Sequence, residues 1–180
     1  MPPPLRAAAG LGVSYRPSTD EDLSFLASVY ASTRIEEVAA TGWPEEMQLQ
    51  FLTHQADAQH RHYRRTYANA EWLVIERGGE AIGRLFLEIW SDQIRLIDIA
   101  LLPRGRGGGV GGAILADLQD MAAAAGKALT IHVERNNPAM RLYLRLGFAR
   151  IDEHGVYDLV EWRPDRARHD ELSNPDSGQT

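Results

Sequence analysis

The 180-residue chain contains no cysteine. Without a thiol there is no disulfide, no thiolate metal site and no cysteine nucleophile, and a cytoplasmic location is expected. Long apolar runs are missing as well. No stretch reaches roughly eighteen apolar residues, so no membrane-spanning helix is expected. Positive charge is not in excess: 25 acidic residues face 19 basic ones, for a formal charge of −6. That balance argues against nucleic-acid binding, which relies on basic surface to displace counterions. The opening MPPPLRAAAGLG has one Arg and no proper apolar stretch, so it reads as a disordered tail and not as a signal peptide. Neither a G-x-S-x-G elbow nor a P-loop G-K-[ST] occurs, which leaves serine hydrolase and NTPase readings without support. His54, His60 and His62 invite a metal, but His60 and His62 point to different sides of a helix and no fixed carboxylate joins them. No metal is expected.

What is present describes one domain, residues 13–163, between tails at 1–12 and 164–180 that are rich in Pro, Gly, Asp and Ser. Val13 to Arg16 alternates as a strand. Ser18-Thr19-Asp20 supplies cap residues for a helix carrying Leu23, Leu26, Val29 and Tyr30 at helical spacing. Thr41-Gly42-Trp43-Pro44 interrupts the chain, and a second helix follows with Met47, Phe51, His54 and Ala58 along one face. From Trp72 the period changes to that of strands. Trp72 to Ile75 and Ala81 to Leu87 flank the hairpin turn Gly78-Gly79. Ile94 to Leu102 is apolar except for Arg95 and Asp98, so this strand should lie centrally. Beyond the glycine-rich segment come a helix with an apolar stripe (Ile114, Leu115, Leu118, Met121, Ala122), a strand from Leu129 to Val133, a short helix from Ala139 to Leu146, and closing strands from Phe148 to Ile151 and Val156 to Trp162. The order indicates an α/β or α+β domain with a partly antiparallel sheet.

The segment Pro103-Arg104-Gly105-Arg106-Gly107-Gly108-Gly109-Val110-Gly111-Gly112 lies between a strand and an amphipathic helix. Such a turn lets backbone N–H groups converge on an anion, and the helix N-terminus adds partial positive charge. A phosphate or pyrophosphate is the natural ligand. Two patterns overlap here. Gly107-x-Gly109-x-x-Gly112 satisfies the dinucleotide pattern, with Glu134 placed at the end of the next strand where a ribose-binding acid belongs. Against it, only about fifty structured residues follow, too few for a second mononucleotide-binding half. The other pattern is Arg106-x-x-Gly109-x-Gly111.

A second segment decides between them. Arg106-x-x-Gly109-x-Gly111 resembles the pyrophosphate-binding turn R/Q-x-x-G-x-G/A of the GNAT superfamily of N-acetyltransferases. Asn136-Asn137-Pro138-Ala139-Met140-Arg141-Leu142-Tyr143-Leu144-Arg145-Leu146-Gly147-Phe148 then resembles the family pattern N-x-x-A-x-x-L-Y-x-x-x-G-F without a gap. The resemblance covers Trp72 to Trp162. It implies a central mixed, mostly antiparallel sheet flanked by helices and splayed between its two central strands, and acetyl-CoA as cosubstrate. It further implies that Arg106, Gly107, Gly108, Gly109, Val110, Gly111 and Gly112 hold the pyrophosphate. Ile99, Ala100 and Leu101 would pair their backbone with the pantetheine arm, and Asn136 would hydrogen-bond that arm beyond the splay. Tyr143 would protonate the departing thiolate, a role its ordinary pKa of about 10 suits at neutral pH. Core packing is the competing reading of Tyr143, and helix capping that of Asn136.

A base must also take the amine proton. Asp98 is the leading candidate, as the only acid in an apolar strand that should border the cleft, where burial raises a carboxyl; the alternative is that it orients Arg95 or a neighbouring loop. Glu88 and His132 follow, His132 facing away from the cofactor if Ile131 and Val133 face the core. The acceptor site should come from the region of Arg34, Glu36, Glu37, Thr41, Gly42 and Trp43. The expected reaction is acetyl transfer to a primary amine, on a small molecule or a protein N-terminus or lysine, by direct attack in a ternary complex. A non-catalytic acetyl-CoA sensor and a dinucleotide-binding oxidoreductase are the alternatives. Monomer and homodimer are both compatible with the sequence.

Overall fold

The computed structural model describes residues 2–164. Of the expected C-terminal tail, residues 165–180 lie outside the described residues. The chain forms β1 (Val13–Pro17), α1 (Leu23–Ala39), α2 (Glu45–Thr66), β2 (Glu71–Arg77), β3 (Glu80–Ile89), β4 (Gln93–Leu101), α3 (Val110–Ala125), β5 (Ala128–Glu134), α4 (Met140–Arg145), β6 (Ala149–His154) and β7 (Tyr157–Trp162). A seven-stranded sheet runs β1-β2-β3-β4-β5-β7-β6. Neighbours are antiparallel except β4 and β5, which are parallel. The mixed, mostly antiparallel sheet flanked by helices is the fold that the sequence pattern implied. Among the described residues no helix is long and apolar enough to cross a membrane.

Strand alternation separates the two faces. One face sends Leu73, Ile75, Leu85, Leu87, Ile94, Leu96, Leu129, Ile131 and Val133 into the main core, against Ile114, Leu115, Leu118 and Ala122 of α3 and Met140 and Tyr143 of α4. Each such aliphatic side chain contributes about 1.5–3 kcal/mol by leaving water. The other face packs Phe86 and Ile97 against Leu26 of α1. It also carries the buried charges Arg84, Glu88 and Arg95. The second helix sits differently from the expected stripe: Met47 and Phe51 are exposed, and Leu52 and Ala56 are the buried pair that meets Tyr30 and Val38 of α1. Leu52 and Ala56 lie four residues apart on one face, and burying them together with half-buried Tyr63 turns Phe51 outward.

The N-terminal segment departs from the expected tail. The Asp117 carboxylate, on α3 and only 2% exposed, accepts backbone N–H bonds from Arg6 (3.0 Å), Ala7 (2.8 Å) and Ala8 (3.0 Å). A short 3-10 turn, Ala9–Leu11, then leads into β1, and Ala8 is fully buried. Composition suggested disorder because the binding group is a single carboxylate about 110 positions away in the chain. Asp117→Ala should detach this segment and cost about 3 kcal/mol, the scale of losing charge-assisted bonds to buried N–H groups. Limited proteolysis should then show cleavage before Val13 that the native protein resists.

Two features of β4 shape the site. First, β4 and β5 pair only at Gln93, Ile94 and Arg95, opposite Ala128, Leu129 and Thr130. Beyond Arg95 they diverge, so the β5-facing edge of residues 96–101 has no strand partner. Second, Leu87 pairs with Leu96 but Phe86 with Asp98, so Ile97 is an extra residue in β4. Ordinary alternation would send Ile97 and Asp98 to opposite faces. The bulge turns both toward α1 and α2. Just beyond, β3 comes very close to β4: a Cβ on Gly83 would lie 2.3 Å from the Ala100 carbonyl oxygen. Gly83→Ala should therefore force the strands apart and lower stability by about 3 kcal/mol, at the upper end of overpacking costs, read as a fall in the denaturant midpoint.

Candidate active site

The loop after β4 turns through Pro103–Gly105 and enters α3 at Gly109, which caps the helix with φ +77°. The first intrahelical bond runs from Ala113 N–H to Gly109 O (2.9 Å), so the N–H groups of Val110, Gly111 and Gly112 have no partner inside the helix. No side chain caps them and no acid lies in the first turn. A Cβ at Gly107 or Gly109 would meet nothing within 4 Å, so the glycines open toward free space. Gly108 lies between them in the same exposed turn. The result is an uncompensated positive helix terminus with converging donors. Arg106 does not reach outward in this conformation. Its Nε donates to the Leu101 carbonyl (2.7 Å), and a terminal nitrogen donates to Ser32 Oγ (3.2 Å) and to the Ser32 carbonyl (3.3 Å). It thereby ties the end of β4 to α1.

Ile99, Ala100 and Leu101 pair with Leu85, Arg84 and Gly83 on the β3 side and face the gap on the other. Tyr143 is 3% exposed and packs edge-on against Phe148, with ring centroids 5.3 Å apart. Its hydroxyl makes no hydrogen bond among the described residues. Burial first, and then the charge of Asp98, raise the Tyr143 phenol well above its ordinary value. Tyr143 comes from the α4 face and Asp98 from the α1 and α2 face, and the divergence of β4 and β5 brings them within electrostatic reach. Asn136 is exposed and bonds to nothing described, and the turn before α4 is secured by Asn137 instead, whose Oδ1 accepts from Ala139 N–H (2.9 Å).

Asp98 pairs with Arg84 of β3, not with Arg95: an Arg84 terminal nitrogen lies 2.5 Å from Asp98 Oδ2. The contact lacks hydrogen-bond alignment, and Oδ2 is buried without an aligned donor. Arg84 is anchored further by Gln59 Oε1 (2.8 Å). Glu88 is occupied by Asn69 N–H (2.8 Å) and Trp90 Nε1 (2.6 Å). His132 does face away from the core residues Ile131 and Val133, but that side of the sheet holds an open cleft of 690 Å³. Tyr30, Arg34, Tyr63, Ile97, His132 and Tyr157 line it. Of the expected acceptor region, Arg34 and Glu37 reach this cleft, whereas Trp43 packs on Phe51 and neither Glu36 nor Trp43 lines it. His62 lines the cleft, His60 faces a smaller cavity beside Arg84, and His54 is exposed, so the three histidines do not converge.

Local sequence reasoning missed the clamp at the cleft rim. Arg34 on α1 makes a two-pronged ion pair with Glu134 at the end of β5, and the Tyr157 hydroxyl donates to the same carboxylate (3.1 Å). The Arg34 guanidinium holds the Glu134 carboxyl below its ordinary range. Glu134, the ribose-binding acid of the dinucleotide reading, is thus engaged within the protein. The mostly antiparallel sheet is not a doubly wound one either. A separation of 100 positions left no local signal for this pairing.

A strand edge released from its neighbour, ending at a glycine turn that exposes a helix N-terminus, is the arrangement of an acyltransferase of the N-acetyltransferase type. Residues 34–148 match the model of the acetyltransferase (GNAT) family, and the chain belongs to that family. Among solved structures, the PaiA N-acetyltransferase of Thermoplasma acidophilum in complex with coenzyme A is similar at 18% identity and TM-score 0.62, over 84% of this chain and 98% of that one. An acetyltransferase of Thermus thermophilus shares 17% identity at TM-score 0.62, over 85% and 97%. A GNAT family acetyltransferase of Elizabethkingia anophelis with acetyl-CoA bound shares 16% at TM-score 0.54, over 84% and 98%. At these identities the likeness concerns the fold. No curated protein matches the sequence.

Proposed function

We propose that this protein transfers the acetyl group of acetyl-CoA to a primary amine by direct attack within a ternary complex. The observation that carries the reading is the unpaired β4 edge running into the donor-rich N-terminus of α3. Extended backbone is available there for a pantetheine-like amide chain, and N–H groups for a pyrophosphate. Acetyl-CoA supplies an activated acyl thioester. With no cysteine in the chain, the acetyl group passes straight to the amine.

The residues present fit that cosubstrate. Val110, Gly111 and Gly112, with Gly107, Gly108 and Gly109 before them, bind the phosphates through backbone donors, and Arg106 braces the turn. Ile99, Ala100 and Leu101 orient the arm by backbone pairing, and Asn136 adds an amide donor and acceptor at the far side of the gap. The amine enters from the cleft on the α1 and α2 face and meets Asp98, whose Oδ2 has no aligned donor and can accept its proton. Tyr143 donates its O–H to the departing sulfur. The charge of Asp98 raises the Tyr143 phenol, so protonating Asp98 removes that charge and makes Tyr143 a better acid. Base and acid therefore act in sequence, because the first proton transfer promotes the second.

The test is calorimetric titration with acetyl-CoA, with NAD as parallel control, followed by thiol release from acetyl-CoA across a panel of amines. One-site binding of acetyl-CoA alone with amine-dependent thiol release supports the reading. Binding without release from any amine would make the protein a sensor, and binding of NAD alone would overturn the site.

A further inference from the structure

Arg95 is 7% exposed and carries a charge that no described carboxylate neutralises by ion pairing. Its neighbour across the ladder, Glu88, is already taken by Asn69 and Trp90. The guanidinium bonds only to neutral partners: His132 Nδ1 (3.1 Å) and Gln93 Oε1 (3.3 Å), with the Trp90 ring centroid 5.1 Å away. Arg95 Nε is buried with no hydrogen-bond partner among the described residues. Burial lowers its affinity for a proton, opposed by the fields of Tyr67 and then Asp92. A buried cation without a counter-ion is among the costliest features a fold can retain. The other buried cation on this face, Arg84, has Asp98.

The location of Arg95 gives the cost a purpose. It lies on the same face of β4 as Ile97 and is bonded to His132, and both of these residues line the 690 Å³ cleft by which the amine enters. Because guanidinium nitrogens only donate, His132 Nδ1 must accept, which fixes a neutral ring with its proton on Nε2. Burial, then Arg95, then His154 lower the His132 pKa in agreement with that tautomer. His132 thus presents an oriented imidazole N–H on the cleft wall, and the Arg95 guanidinium lies buried directly behind it. Arg34, at the rim, is already committed to Glu134 and Glu37.

We propose that the acceptor is an amine that also bears a carboxylate, that His132 Nε2–H donates to that carboxylate, and that Arg95, buried directly behind His132, supplies the counter-charge. This rests on the acetyl-transfer reading for the word acceptor, but the anion subsite can be tested without turnover. The intact protein is titrated at constant ionic strength with sodium acetate, with inorganic phosphate and with methylammonium chloride, following the His132 ring and Arg95 Nε–H resonances. Acetate should shift the His132 signals saturably and methylammonium should not. In Arg95→Met the response of His132 should vanish while the melting temperature stays level or rises, since a structural arginine would instead leave a less stable fold. Arg95→Lys, which keeps the charge and loses the fork, should weaken the acetate response about tenfold, and it serves if Arg95→Met does not fold. With acetyl-CoA present, amino acids should be better acceptors than their decarboxylated amines in the native protein, and Arg95→Met should erase the difference. No saturable response of His132, the same response in Arg95→Met, or saturation by phosphate alone would each overturn the proposal. Saturation by acetate in a protein that releases no thiol would instead count against acetyl transfer and leave the subsite standing.

Discussion

Tyr143→Phe is expected to lower kcat by about a hundredfold, the lower range for loss of a positioned general acid, with the affinity for acetyl-CoA nearly unchanged. The structure separates these quantities well. The ring stays, and with it the edge contact to Phe148 at 5.3 Å. The lost hydroxyl makes no hydrogen bond among the described residues, so its removal leaves no buried partner stranded and the melting temperature should hold. Rate falls, binding and folding do not. Thiol release under saturating acetyl-CoA, with calorimetric titration beside it, reads both. The pH profile adds a check, because burial and then the charge of Asp98 raise the Tyr143 phenol above its ordinary value. No loss of the acid form should appear in the native enzyme up to pH 10, the ordinary tyrosine value. Turnover that is unchanged by Tyr143→Phe at every pH would remove Tyr143 from the chemistry and leave it a core residue.

Gly109→Val should have the opposite signature: acetyl-CoA affinity lost by a factor of about ten or more, with kcat at saturation largely kept. Gly109 sits at φ +77° as the cap of α3. A β-branched residue there pays about 1–2 kcal/mol for the left-handed backbone or moves out of it. Moving out rotates the Val110, Gly111 and Gly112 N–H groups away from their common focus. Losing one such charge-assisted bond is worth about 1.5–3 kcal/mol, which is at least the tenfold change. The new Cβ meets nothing within 4 Å, so the circular dichroism spectrum should be unchanged. Equal affinity in Gly109→Val would show that the pyrophosphate is held elsewhere.

The two experiments address the parts of the site with the clearest sequence signals. The glycine turn was legible because backbone freedom is a property of the residue itself. A strand before it and an amphipathic stripe after it were enough to place it at a helix N-terminus. The Asn136 to Phe148 segment was legible for a related reason, since a short helix and its flanking turn are local. Even there, tertiary packing assigned the turn bond to Asn137 and left Asn136 exposed.

Periodicity failed for α2. Four candidate residues matched a helical stripe, yet the face that packs carries Leu52 and Ala56. Hydropathy alone shows which side chains are apolar but not the rotation at which a helix meets its neighbours. Composition likewise suggested a loose N-terminus, because a Pro- and Ala-rich segment has no sign of its distant anchor, Asp117. Asp98 was identified from being the only acid in an apolar strand, but its partner depended on strand register. One extra residue, Ile97, brings it to the face that holds Arg84.

The sequence by itself therefore determined the family, the glycine turn at a helix N-terminus, the strand that ends in it and the tyrosine expected to serve as acid, all features carried by contiguous residues. Only the tertiary structure decided which charges meet. It paired Arg34 with Glu134, gave Asp98 to Arg84, opened the cleft beneath α1 and α2, and left Arg95 buried behind the cleft residue His132 with no ion-paired carboxylate among the described residues. Those outcomes depend on strand register, a bulge and contacts up to 100 positions apart, and electrostatic pairing is set by distance in space, not along the chain.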